Sequence, residues 1–133
     1  YDSIVFKGPG VGWASIDYTI LRNNTANQFV GSISNGTNVL ANSGPQSTVV
    51  STGLWYHLVF TWDGTNAVFY TNGSVSGTVP WTYAAANRSS NMSFGMAVNN
   101  GSYPLNGTID DVRIYNRALS AAEALALFSA GAK

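Results

Sequence analysis

"WYHLVFTWDGTNAVFYTNGSVSG", residues 55–77, decides the fold. Tyr56, Leu58, Phe60 and Trp62 alternate with Trp55, His57, Val59 and Thr61, so a strand here turns the first group toward a core and leaves the second on a mixed, half-covered face. Asp63-Gly64 and Asn72-Gly73 then supply residues that tolerate positive φ, as tight hairpin turns require. Two successive hairpins follow.

The same grammar extends in both directions. Short runs of β-branched and aromatic residues, separated by Gly, Asn, Asp and Ser, predict strands near Ser3–Lys7, Ile16–Arg22, Gln28–Ser34, Thr48–Ser51, Trp55–Trp62, Ala67–Tyr70, Ser74–Val79, Met92–Val98 and Thr108–Tyr115. That many short strands in one chain predict an all-β antiparallel sandwich. Only the end of the chain reads as helical. Ser120 and Glu123 form a capping box, residues 121–128 are good helix formers, and Gly131 is placed to stop them.

A chain of 133 residues is the size of one domain and can bury a sizeable core without staples. It has no Cys, which excludes disulfides and thiolate metal sites. Six acidic residues balance six basic ones, and neither sign forms a run, which argues against nucleic acid or an anionic membrane as partner. No apolar stretch is long enough to insert into a membrane. Few charges, many amides and hydroxyls, and 4 Trp, 7 Tyr and 6 Phe suit a rigid extracellular β domain. The chain reads as a mature product or as a piece of something longer. Asn23, Asn35, Asn72, Asn87, Asn91, Asn100 and Asn106 each begin an N-x-S/T triplet, read chiefly as turn chemistry, with glycan acceptors the lesser alternative.

One charged cluster stands out. "TIDDVRIYNR", residues 108–117, holds Asp110, Asp111, Arg113 and Arg117, four of the chain's twelve acidic and basic residues. Neighbours on a regular strand point to opposite faces, so Asp110 and Asp111 cannot form the facing carboxylate pair that glycoside hydrolysis needs. The one Glu lies in the expected helix and the one His is His57. A bulge at the two acids would set Ile109, Val112 and Ile114 on one face. The cluster therefore reads first as an ion-paired fastener holding the last strand to its neighbours.

The stretches "LWYHLVFTWDGTNAVFYTNGSVSGT" and "LNGTIDDVRIYNRALSAAEALALF", with "SIVFKG" near the start, resemble the laminin G-like, concanavalin A-like jelly-roll domains of secreted and surface proteins. Trp55, His57, Asp63-Gly64 and Asn72-Gly73 match the first family pattern; Gly107 and Ile109 to Ser120 match the second. The resemblance implies a jelly-roll β-sandwich forming a single domain over residues 1–133, with His57, Trp55 and Trp62 as framework. It also implies further strands ahead of the first, absent here, so that another chain or domain is expected to complete the sheet. Many members bind calcium, which makes Asp110, and less so Asp111, a possible calcium ligand.

For function, a non-catalytic module that binds glycan or adheres to a glycosylated surface is expected. Sugar rings stack their C–H faces on aromatics while amides pair with hydroxyls. The candidates are the aromatics and amides of loops: Trp13, Trp81, Tyr83, Asn99, Asn100 and Tyr103. Each ring could instead close the sandwich end as a lid over the core. The alternative is a structural subunit of an extracellular assembly, such as a virion decoration, filament or surface layer, using the jelly roll as a rigid knob.

Overall fold

Both hairpins form where their turn residues require them. β5 (Leu58–Trp62) turns at Asp63 and Gly64 into β6 (Asn66–Thr71), and β6 turns at Asn72 and Gly73 into β7 (Ser74–Pro80). Gly64, Asn72 and Gly73 all have positive φ, which glycine adopts freely and asparagine tolerates. The Asp63 carboxylate accepts the N–H groups of Thr65 and Asn66 at 2.8 and 2.7 Å, and those bonds pull its pKa down. The three strands form one antiparallel sheet.

The second sheet comes from the first part of the chain and one later strand. β1 (Asp2–Lys7), β2 (Tyr18–Asn23), β3 (Gln28–Ser34), β4 (Val39–Leu40) and β8 (Met92–Phe94) lie in the order β4-β3-β2-β1-β8, all antiparallel. The computed structural model describes residues 1–10, 12–41, 44–97 and 101–131. Between the two sheets, Ile33, Leu40, Ala67 and Trp81 form a buried cluster on which Phe60, Trp62, Val79 and Ala85 pack. A Cβ on Gly31 would collide with the Phe60 ring, so the small residue lets the sheets close. The architecture is a β-sandwich of two antiparallel sheets.

Helix α1 (Ala121–Gly131) starts as expected: the Ser120 N–H donates to the Glu123 carboxylate at 2.8 Å, and the Glu123 N–H reaches the Ser120 hydroxyl at 3.3 Å. It seats Leu125 and Phe128 against Gly73 in the β6–β7 turn.

Two expected strands are not there. Residues 48–51 form no ladder; just before them the Ser47 hydroxyl takes the Phe29 N–H that a backbone carbonyl would take in one, and the Val50 N–H donates to the Asn27 carbonyl ahead of β3. Residues 108–115 form no strand and are paired into neither sheet, with Asp111 in the left-handed region at φ 54°. Val112 and Ile114, expected on a core face, are 44% and 61% exposed.

Candidate functional site

β1 carries an irregularity between Ser3 and Val5, which brings Ser3 and Phe6, three residues apart, to the same buried side. Opposite them stand Ile16 and Leu21; Ala97 closes the layer from beyond β8. Tyr1, Trp13 and Tyr103 complete the wall of a cavity of about 50 Å³ with these residues. Tyr1 meets Trp13 edge to face at 5.7 Å between ring centroids and Tyr103 at 6.1 Å, the offset geometry that aromatic pairs favour.

Each ring is placed by local backbone. Trp13 opens a 3-10 turn, Trp13–Ser15, in which the Ser15 N–H donates to the Gly12 carbonyl at 2.7 Å. Tyr103 has φ 53°, a strained setting for a bulky residue, and its carbonyl accepts the Ser3 N–H at 2.8 Å. Tyr103 remains 40% exposed, so the cup has an aromatic rim at the surface. At its floor the lining is Phe6, Ile16, Leu21 and Ala97. Ser3 lies among them 1% exposed, and its hydroxyl has no hydrogen-bond partner. A buried hydroxyl without a partner forfeits a hydrogen bond that solvent would supply.

The six carbohydrate candidates therefore do not form one site. Trp13 and Tyr103 join in the cup, with Tyr1 as a third ring that sequence reasoning passed over. Trp81 is 6% exposed in the core between the sheets, and its carbonyl accepts the Trp62 indole N–H at 2.9 Å, so neither of its faces is free to stack on a sugar. Tyr83, 47% exposed, lies edge-on against Trp81 at 5.1 Å and outside the cup. Asn99 and Asn100 lie outside the described residues.

The two acids of the calcium reading are exposed. Asp111 is gripped by Arg113, whose Nε and Nη2 donate to its two carboxylate oxygens at 3.2 and 2.9 Å. Among the described residues, no group of three or more His, Cys, Asp or Glu gathers as a metal site. The two arginines of the cluster pair locally. Arg113 reaches two residues back, and Arg117 reaches forward to Glu123, at 2.9 and 2.6 Å.

Charge is buried elsewhere, at a place the sequence reading missed. Asp17 is fully buried, and one of its carboxylate oxygens accepts the Lys7 ammonium at 2.9 Å and the Arg88 backbone N–H at 3.0 Å. Its other oxygen lies 3.1 Å from the Arg88 guanidinium. Lys7 also donates to the Arg88 carbonyl at 2.7 Å, and Arg88 to the Ala14 carbonyl at 2.9 Å. No spacing in the sequence joins positions 7, 17 and 88.

His57 is held through its backbone, whose N–H donates to the Asn72 side chain at 2.9 Å. Its ring lies 6.0 Å from Phe128, and its Nδ1 is buried without a hydrogen-bond partner. Burial and the nearby Arg113 lower its pKa, with Asp111 opposing them. Trp55 is 56% exposed, contrary to its expected place in the framework.

A family model described as the concanavalin A-like lectin/glucanases superfamily matches residues 2–124. The chain belongs to that superfamily. Among solved structures it is similar to an S-layer domain-containing protein from Clostridium thermocellum ATCC 27405, residues 221–444, with a TM-score of 0.50 and 22% identity over 82% of this chain. At that identity the likeness speaks for the concanavalin A-like fold alone, and the match spans 60% of that structure's chain. No curated protein matches. Among the described residues, no helix is long and apolar enough to cross a membrane.

Proposed function

We propose that this concanavalin A-like domain is a non-catalytic recognition module of an extracellular or surface-associated protein, and that it binds glycan at the cup of Tyr1, Trp13 and Tyr103. The observation that carries the reading is the cup itself: an aromatic rim open to solvent over an apolar floor with one buried, unpartnered hydroxyl. Aromatic faces and edges suit the C–H surfaces of a sugar ring, and a few placed polar groups confer orientation. The superfamily and the likeness to an S-layer domain-containing protein are consistent with a surface setting. The test is a glycan array probed with the labelled domain. Retention of a related set of glycans supports the proposal, and an array left blank at high micromolar concentration contradicts it.

A second reading, a structural subunit of an extracellular assembly, rests on a different observation. The stretch 108–115 exposes Val112, Ile114 and Tyr115 and is paired into neither sheet. Such an edge presents backbone donors and acceptors to any strand that approaches. On this reading another chain or domain supplies that strand, and the domain acts as a rigid knob. Light scattering that finds assemblies without glycan binding favours it over the lectin.

A further inference from the structure

The volume of the cup restricts what can enter it. An apolar cavity of roughly 150 Å³ holds a benzene ring. The cup offers about 50 Å³, a third of that, which is room for two or three non-hydrogen atoms. A pyranose ring therefore stays outside, against Trp13 and Tyr103, and only a substituent of the sugar descends.

The lining then selects the substituent. Phe6, Ile16, Leu21 and Ala97 form an apolar floor that welcomes a methyl group and leaves a hydroxymethyl with no partner but Ser3. A bare methyl, as on a deoxy sugar, would fill the floor yet leave the Ser3 hydroxyl as unpartnered as before. Ser3 needs an acceptor for its O–H, carried on the same substituent as the methyl that fills the floor. An acetamido group supplies a methyl for the floor and a strong carbonyl acceptor for the hydroxyl within a few atoms.

Resting on the glycan reading, we infer that the cup is a subsite for the acetamido group of an N-acetylated sugar. The methyl enters the floor, Ser3 Oγ bonds the amide, and the sugar ring lies against the rim of Trp13 and Tyr103. Ser3 is then a specificity residue. Its hydroxyl has no structural partner to lose, so Ser3→Ala leaves the fold intact, and the Ser3 backbone bond to Tyr103 is unaffected.

The test is calorimetric titration of the domain with two matched trisaccharides, the β1,4-linked trimer of N-acetylglucosamine and the β1,4-linked trimer of glucose, which share a linkage and differ in the acetamido groups. The expected result is at least a tenfold preference for the acetylated trimer. In Ser3→Ala and in the narrowed Ala97→Val that preference falls at least fivefold, while residual binding approaches that of the glucose trimer. Equal affinities for the two trimers overturn the acetamido subsite and leave the glycan reading standing. Binding of neither at millimolar concentration overturns the subsite, and a blank array would overturn the broader reading with it. An undiminished preference in both variants places the acetamido elsewhere and also overturns the assignment.

Discussion

Asp17 and Arg88, 71 positions apart in the chain, meet twice: the carboxylate takes the backbone N–H of Arg88 at 3.0 Å and lies 3.1 Å from its guanidinium. Lys7 adds a second cation at 2.9 Å. The cluster ties the end of β1, the start of β2 and the loop after β7 together around a carboxylate with no exposure. Removing one partner of a buried ion pair typically costs about 3–5 kcal/mol, because the others are left desolvated and uncompensated. Asp17→Ala should fall in that range in urea unfolding. Asp111→Ala, which removes an exposed pair with both side chains more than half exposed, should cost under about 1 kcal/mol. Equal losses would show that the exposed cluster is the fastener after all.

Gly31 and Phe60 set the spacing between the sheets. A methyl group on Gly31 meets the Phe60 ring in the middle of the core, so Gly31→Ala should destabilise by about 1–3 kcal/mol through overpacking. Pairing it with Phe60→Leu should recover part of that loss, because the two changes act on one contact. Additive losses in the double variant would mean the collision is not the cause.

Glu123 gives the start of the helix a pH dependence. The Arg117 guanidinium, and then the Ser120 backbone and hydroxyl, hold its pKa down to about 2 from an ordinary 4.5. A carboxylate with a lowered folded pKa contributes its stability above the unfolded value and loses it as pH falls through the folded one. Helix-end support should thus be complete above pH 4.5 and vanish progressively toward pH 2. Following the Glu123 side-chain carbon by NMR checks this, and a midpoint near 4.5 would contradict the bidentate pair.

The stretch 108–115 makes a prediction of its own. If a further strand completes the sheet there, association should depend on Val112 and Ile114, so Ile114→Lys should shift the domain toward monomer in light scattering at high concentration. Unchanged association would place the contact elsewhere.

These contrasts show what the sequence made legible. The hairpins at Asp63-Gly64 and Asn72-Gly73 and the Ser120–Glu123 cap were readable because their determinants are local: a turn residue, a period, a spacing of three. The triplet asparagines at 23, 35 and 72 likewise accept backbone N–H groups within or across their turns, as turn chemistry requires. What failed was non-local. Residues 108–115 have every propensity of a strand, but a strand exists only where a partner lies alongside. Asp17 carried no motif, since its partners arrive from positions 7 and 88. Trp81 and Trp13 both sit in loops marked by Gly or Pro, and only the packing of the sheets puts one in the core and the other on a rim.

On the proposed reading, sugar binds at the rim of Trp13 and Tyr103. The most direct measurement compares Trp13→Ala, Tyr103→Ala and Tyr83→Ala, each confirmed folded by thermal melt, for affinity toward the tightest glycan of the array. Trp13→Ala and Tyr103→Ala should each weaken binding at least tenfold, with Tyr83→Ala within twofold of the unaltered domain. Loss in Tyr83→Ala with full binding in the other two would contradict the cup as the site.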